Sequence, residues 1–217
     1  MLFHTPGGSI ELNVTSLFIA GWTGRDMAAV NHHIEELKEL GVAPPSTVPL
    51  YYRGSSNLLL QANKIQALSE GSSGEAEPFV VLSDGKYWLG LGSDHTDRPL
   101  EAFSVAHSKQ NCAKPVADTV WPLEEVTDHL DQLELKSWIK EEGEWIAYQE
   151  GTLASIRPLK ELIDGIDLPE NGGMLCGTLP AIGGVRGAVA FRMELNDPVL
   201  GRKITTEYEI ETLPVVA

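Results

Sequence analysis

The chain has 217 residues, 42% hydrophobic and 22% charged, which fits one large globular domain, or a domain with a small N-terminal annex, able to bury a substantial core. Its 31 acidic and 16 basic residues give a formal net charge of −15, which argues against a nucleic-acid backbone or an anionic membrane as partner, because both repel it. No basic n-region leads a long apolar stretch and no window approaches a transmembrane span, so a cytoplasmic protein is expected.

Residues 1–20 alternate apolar and polar around Ile10, Leu12, Val14, Leu17 and Ile19, with Pro6-Gly7-Gly8 as a break, and predict a strand pair. After a turn at Gly21-Trp22-Thr23-Gly24, a helix is predicted from about Asp26 to Leu40, its apolar stripe Met27, Val30, Ile34, Leu37 and Leu40, stopped by Gly41. Pro44, Pro45 and Pro49 stiffen the connection into Leu50-Tyr51-Tyr52-Arg53. Ser69-Glu-Gly-Ser-Ser-Gly74 is the most linker-like stretch, placing a soft boundary between residues 1–70, with the opening strands and this helix, and a β-rich core over 71–217.

Beyond it β-structure dominates. Phe79–Leu82 and Tyr87–Leu89 flank Ser83-Asp84-Gly85 as a hairpin. Helices are predicted over Leu100–Gln110 and Leu123–Leu133, then strands over Leu133–Ile139 and Trp145–Gln149 about a Gly143 turn, then a helix near Arg157–Ile163. Alternating segments close the chain at Met174–Cys176, Ala190–Leu195 and Ile204–Thr212. Cys112 and Cys176 form no CxxC pair and cannot make a zinc site alone; they fit a reducing compartment as small core or pocket residues.

Glu75 and Glu77 share a face if their segment is a strand, and Asp94 adds a third oxygen donor. Three hard anionic ligands, with water completing the shell, suit Mg²⁺, Mn²⁺ or Ca²⁺. By spacing alone, paired acids on a strand are most often solvated, and Asp94 and Asp97 beside Arg98 make an ordinary turn with a surface ion pair. On the first helix His33 lies at the edge of the apolar stripe with Glu36 one turn on, a spacing that lets a carboxylate orient an imidazole as general base; His32 and Glu35 are the offset pair nearer the wet face. The plain alternative is a helix-surface His-Glu pair. Lys109 fits a helix C-terminal charge or a binder of a substrate anion. Gly177-Thr178-Leu179-Pro180-Ala181-Ile182-Gly183-Gly184 is a Gly-rich turn whose main chain can cradle an oxyanion, or simply a tight turn.

In this order the pieces resemble the fumarylacetoacetate hydrolase superfamily. They are His33-Ile34-Glu35-Glu36, the proline-flanked Tyr52-Arg53 segment, Glu75-Ala76-Glu77, Ser93-Asp94 with Arg98, Lys109, Gln149-Glu150-Gly151-Thr152 and the Gly177-Thr178 turn. The chain departs from that pattern in a short interval between Glu77 and Asp94, an extra helical turn after His33, Ser93 in place of Asn, and Leu179 inside the Gly-Thr-Pro turn.

The resemblance implies an α+β fold, predominantly β-sheet with a few short helices, and a homodimer. It implies a divalent metal, Mg²⁺ first with Mn²⁺ or Ca²⁺ as alternatives, held by Glu75, Glu77 and Asp94. His33 and Glu36 match the water-activating pair, Lys109 the lysine that binds and polarises substrate, and Thr178 the turn residue on its carboxylate; Tyr52, Arg53 and Arg98 are placed beside the small anionic substrate. The implied activity is hydrolysis of a C–C bond in a 2,4-dioxo acid or related β-diketone. The same enolate chemistry serves keto-acid decarboxylation, isomerisation and hydration, and a non-catalytic binding protein on this fold is the reading from a different class.

Overall fold

The computed structural model of the chain describes residues 1–39 and 43–216, apart from the side chains of residues 33 and 37. Its frame is two sheets. A six-stranded sheet runs in the order Trp121–Pro122, Lys86–Ser93, Ala76–Ser83, Gly172–Leu175, Ser16–Gly21, Leu50–Gly54. A five-stranded sheet runs Glu144–Thr152, Glu134–Glu141, Ala190–Asp197, Arg202–Leu213, Lys64–Leu68. Strands from both sides of residue 70 take part in each sheet. Among the described residues helix is 21% and strand 45%, the α+β, β-dominated fold the resemblance implied.

Burial explains the strand patterns. The Glu134–Glu141 strand alternates, sending Leu135 and Ile139 inward. The Ala76–Ser83 strand is apolar on both faces because both are covered. Its Val80 joins Leu89, Leu91, Leu135, Phe191 and Tyr208 in the core shared by the two sheets. Phe79 and Val81 point the other way, into a second cluster with Phe3, Leu17, Ile19 and Leu175, covered by the hairpin Leu2–Thr5 with Gly8–Glu11.

Two of the hairpin turns are short and left-handed. Asp84 and Gly85 have φ of 52° and 69°, and Glu142 and Gly143 have 50° and 88°, the geometry that matches strand twist across a two-residue loop. Glu170 accepts the Asp84 and Gly85 amides and ties the first turn to the strand Gly172–Leu175.

Three expectations need correction. The helix predicted over Leu100–Gln110 is two, Arg98–Glu101 and Val105–Gln110, because Ser104 adopts extended geometry and caps the second through the His107 amide. The segment predicted as a helix over Leu123–Leu133 forms two short 3-10 turns, Leu123–Glu125 and Thr127–Gln132. The linker-like serines are interior: Ser72–Ser73 pairs antiparallel with Thr96–Asp97, and both serines are 2% exposed. The glycines beside them serve close packing, since a Cβ on Gly74 would meet the Tyr208 hydroxyl at 2.7 Å.

The first helix spans Met27–Glu39, with Asp26 accepting the Ala28 and Ala29 amides. Its stripe is only partly buried: Val30 is inside, Ile34 half-buried and Met27 exposed. Leu40, Gly41 and the Leu37 side chain lie outside the described residues. No helix among the described residues is long and apolar enough to cross a membrane.

Candidate metal centre

The acids meet because a hairpin folds one segment onto the other. Glu75 and Glu77 straddle the start of the Ala76–Ser83 strand, and Asp94 follows the end of its antiparallel partner Lys86–Ser93. Ala76 pairs with Ser93, and the Asp94 amide donates to the Glu75 carbonyl at 3.0 Å. One carboxylate oxygen from each of Glu75, Glu77 and Asp94 lies within 4.8 Å of the others. Divalent ions bond carboxylate oxygens at about 2.0–2.6 Å, so one ion reaches ligands roughly 4–5 Å apart. Asp97 is committed elsewhere: it accepts the Leu100 amide at 3.0 Å and Asn111 at 3.1 Å.

Charge is unevenly shared. Arg98 bridges Glu75 at 3.1 Å and Glu101 at 2.8 Å and donates to Ser73 at 2.8 Å. Lys109 bonds the Asp94 carboxylate and stands 4.0 Å from Glu75. Lys114 lies 3.0 Å from the other Asp94 oxygen and donates to the His95 carbonyl. Burial alone would raise the Asp94 carboxyl, but the two lysines outweigh it and hold it at about 2. Glu77 has no such partner: it is 2% exposed, forms no ion pair among the described residues and accepts the Gly177 amide at 2.8 Å. Burial, and then the nearby Asp94 charge, push its carboxyl well above the usual range. A buried carboxylate without a cation is costly. A divalent ion at this all-oxygen donor set removes that cost, so the residues fit the metal that the motif order implies.

The surroundings fix these side chains. Gln149 accepts the Ala76 amide at 2.9 Å and the Ser137 hydroxyl at 2.7 Å, and donates to Thr178 at 2.6 Å and to the Leu179 carbonyl at 2.7 Å. It thereby locks the Gly-rich turn to the acidic strand. The Thr178 hydroxyl itself donates to the Ala76 carbonyl. On the far side of Asp94, His95 is fully buried between Tyr208 at 3.0 Å and Ser72 at 2.9 Å, and Tyr208 also meets Ser93 at 2.8 Å. Burial and the Lys114 charge press the His95 imidazole down to about 3, so it stays neutral.

Not every candidate residue arrives. Tyr52 does: Lys109 lies 5.9 Å from its ring and Trp22 donates to its hydroxyl at 3.2 Å. Arg53 does not, because strand alternation sends it to the opposite face, where it stacks 4.3 Å over Phe18. Arg98 is spent on Glu75, Glu101 and Ser73. The His33 side chain lies outside the described residues. Glu36 stands 3.3 Å from His32 one turn back, both exposed, and Glu35 pairs with Lys38 at 3.0 Å. Lys114 is the site residue that sequence spacing misses; its one signal is a lysine inside the apolar run Ala113–Ala117.

Gly177 supplies a test of this geometry. It has φ of 97°, and a Cβ there would fall 1.7 Å from the Thr23 hydroxyl oxygen. Gly177→Ala is expected to cost about 3 kcal/mol or more and to draw the amide away from Glu77. Urea unfolding measures it; a variant as stable as wild type sinks the packing argument.

The family model described as a protein of unknown function (DUF2848) matches residues 20–208, and the chain belongs to that family. No curated protein matches the sequence. Solved structures do match. One is Cg1458, at 14% identity and TM-score 0.64, with 94% of this chain and 78% of that one covered. A second is 2-keto-3-deoxy-D-arabinonate dehydratase complexed with magnesium and 2,5-dioxopentanoate, at 16% identity and TM-score 0.65, covering 94% and 75%. A third is 4-oxalocrotonate decarboxylase from Pseudomonas putida G7, complexed with calcium and acetate, at 15% identity and TM-score 0.55, covering 94% and 78%. The chain shares the fold of these three structures, the β-dominated α+β fold that the resemblance implied.

Proposed function

We propose that this member of the DUF2848 family is a divalent-metal-dependent enzyme acting on a small keto acid through its enolate. The observation that carries the reading is Glu77, a buried carboxylate beside Glu75 and Asp94 with no cation paired to it among the described residues. A bound Mg²⁺, Mn²⁺ or Ca²⁺ supplies Lewis-acid polarisation of the keto acid's oxygens. The chain's own residues prepare the donors. Lys109 and Lys114 keep Asp94 ionised, Arg98 holds Glu75, and the Gly177 amide aims Glu77. Lys109 and the Tyr52 hydroxyl are positioned to bind and orient the anionic end of the substrate, with Thr178 at the adjoining turn.

For the reaction itself, hydrolysis of an acylpyruvate-like 2,4-dioxo acid assigns water activation to His33, oriented by Glu36. Decarboxylation or dehydration of a keto acid is a second reading with its own support. The described basic side chains around the acids are two lysines and an arginine held in ion pairs and His95, whose two ring nitrogens are engaged by Tyr208 and Ser72, and neither reaction needs an activated water. Two structures of the same fold are named as a dehydratase bound to magnesium and a decarboxylase bound to calcium.

Calorimetric titration of chelator-stripped protein with Mg²⁺, Mn²⁺ and Ca²⁺ tests the metal. Product analysis with an acylpyruvate, oxaloacetate and a 2-keto-3-deoxy acid separates the reactions. Turnover that survives chelation, or Glu75→Ala and Glu77→Ala proteins indistinguishable from wild type, sinks the proposal.

A further inference from the structure

We propose that Lys109 is a built-in competitor of the divalent ion: its ammonium occupies the acidic site in the metal-free protein and must withdraw for the ion to bind. The inference rests on the metal-dependent reading above and adds to it the group that sets affinity.

The three cations at the site are not equivalent. Lys114 is fully buried and tied to two acceptors, the Asp94 carboxylate and the His95 carbonyl. Arg98 is tied to Glu75, Glu101 and Ser73. Lys109 makes one hydrogen bond, to Asp94, and stands 4.0 Å from Glu75. Asp94 and Glu75 offer two of the three converging oxygens. An ammonium touching one and 4.0 Å from the other is in, or at the edge of, the space an ion coordinated by both must fill. A unit charge and a double charge at that separation repel strongly where water is excluded.

Lys109 can leave. It is itself only 8% exposed, but it sits in the last turn of the six-residue helix Val105–Gln110, whose Ala106, His107 and Gln110 are exposed, and four methylenes carry its charge, so a rotamer change rather than a movement of the core takes the ammonium out of the site. The metal-free protein thus keeps its acids partly neutralised, and the ion is bound more weakly than the bare carboxylates would bind it.

Two measurements decide. Lys109→Met is expected to bind Mg²⁺ at least about tenfold more tightly than wild type by calorimetry, with a lower thermal midpoint when metal-free and a larger rise on adding Mg²⁺. Lys109→Arg keeps the charge and is expected to bind no more tightly than wild type. The second measurement uses the unaltered chain, so it stands if Lys109→Met does not fold. With an amine-reactive succinimidyl ester and peptide mass spectrometry, Lys109 labelling should rise several-fold in Mg²⁺ while Lys114 stays protected. Equal or weaker Mg²⁺ binding by Lys109→Met, or Lys109 labelling that is unchanged or slower in Mg²⁺, overturns the inference and leaves the metal-dependent reading standing. Absence of divalent binding in wild type and Lys109→Met alike overturns both.

Discussion

Replacing Glu77 by Gln is expected to weaken divalent-ion binding by more than about 100-fold while making the metal-free protein more stable. Few substitutions of a buried, hydrogen-bonded residue stabilise, so the signs are diagnostic. Glu77 accepts one amide, from Gly177 at 2.8 Å, and the uncharged Gln oxygen accepts it equally well. What Gln removes is a charge that burial, then Asp94, make unfavourable. The gain is on the order of 1 kcal/mol or more. A carboxyl whose folded pKa is raised binds its proton more tightly in the native state than in the unfolded one. Its penalty is absent below the unfolded value of about 4.3 and grows as pH rises toward the raised folded value. Metal-free wild type should therefore lose more stability than Glu77→Gln as pH rises from about 5. Urea unfolding in chelator across that range, with calorimetric Mg²⁺ titration at neutral pH, checks it. A Glu77→Gln protein that binds Mg²⁺ as wild type does, or is less stable when metal-free, rules it out.

The sequence carries much of this site through spacing. Glu75 and Glu77 share a face because they sit two apart at a strand start, and period-2 geometry leaves no other choice. The short interval between Glu77 and Asp94 is an advantage: two strands and the Asp84-Gly85 turn fill it, so the acids are brought together by nearest-neighbour pairing. Arg53 shows the limit of motif transfer, since the same period-2 rule turns it away from Tyr52. Residues whose role comes from long-range pairing are harder to foresee. Lys114 reaches Asp94 because Lys114–Pro115 pairs parallel with Leu59–Leu60, a register that local periodicity does not encode. The predicted helix over Leu100–Gln110 fails for a local reason, because Ser104 competes for the backbone as a cap. The Ser69–Gly74 stretch has linker composition, yet its small residues are there to fit under Tyr208, Phe191 and Pro99. Composition cannot separate small-for-packing from small-for-flexibility.

Lys114→Met is expected to be the most destabilising single change at the site, at about 3–5 kcal/mol in metal-free protein. The methionine fills similar space, so the loss is electrostatic. It leaves the His95 carbonyl without its ammonium donor and deprives Asp94 of one of the two charges that hold it at about 2. A carboxyl with a depressed folded pKa contributes stability above its unfolded value of about 3.9 and loses it as pH falls through the folded value. Acid unfolding of wild type should therefore have a component between about pH 4 and pH 2 that weakens in Lys114→Met. Asp94→Asn in the Lys114→Met background removes the stranded charge and should recover part of the loss, giving a coupling of on the order of 1 kcal/mol or more in a double-mutant cycle. An additive cycle counts against the pairing. The contrast with Lys109 is the physical point. Both lysines are buried and both neutralise Asp94, but Lys114 is held by a second acceptor, whereas Lys109 is held by one hydrogen bond from the last turn of a short helix. An acidic centre that must be stable when metal-free and still admit a divalent ion needs one cation of each kind.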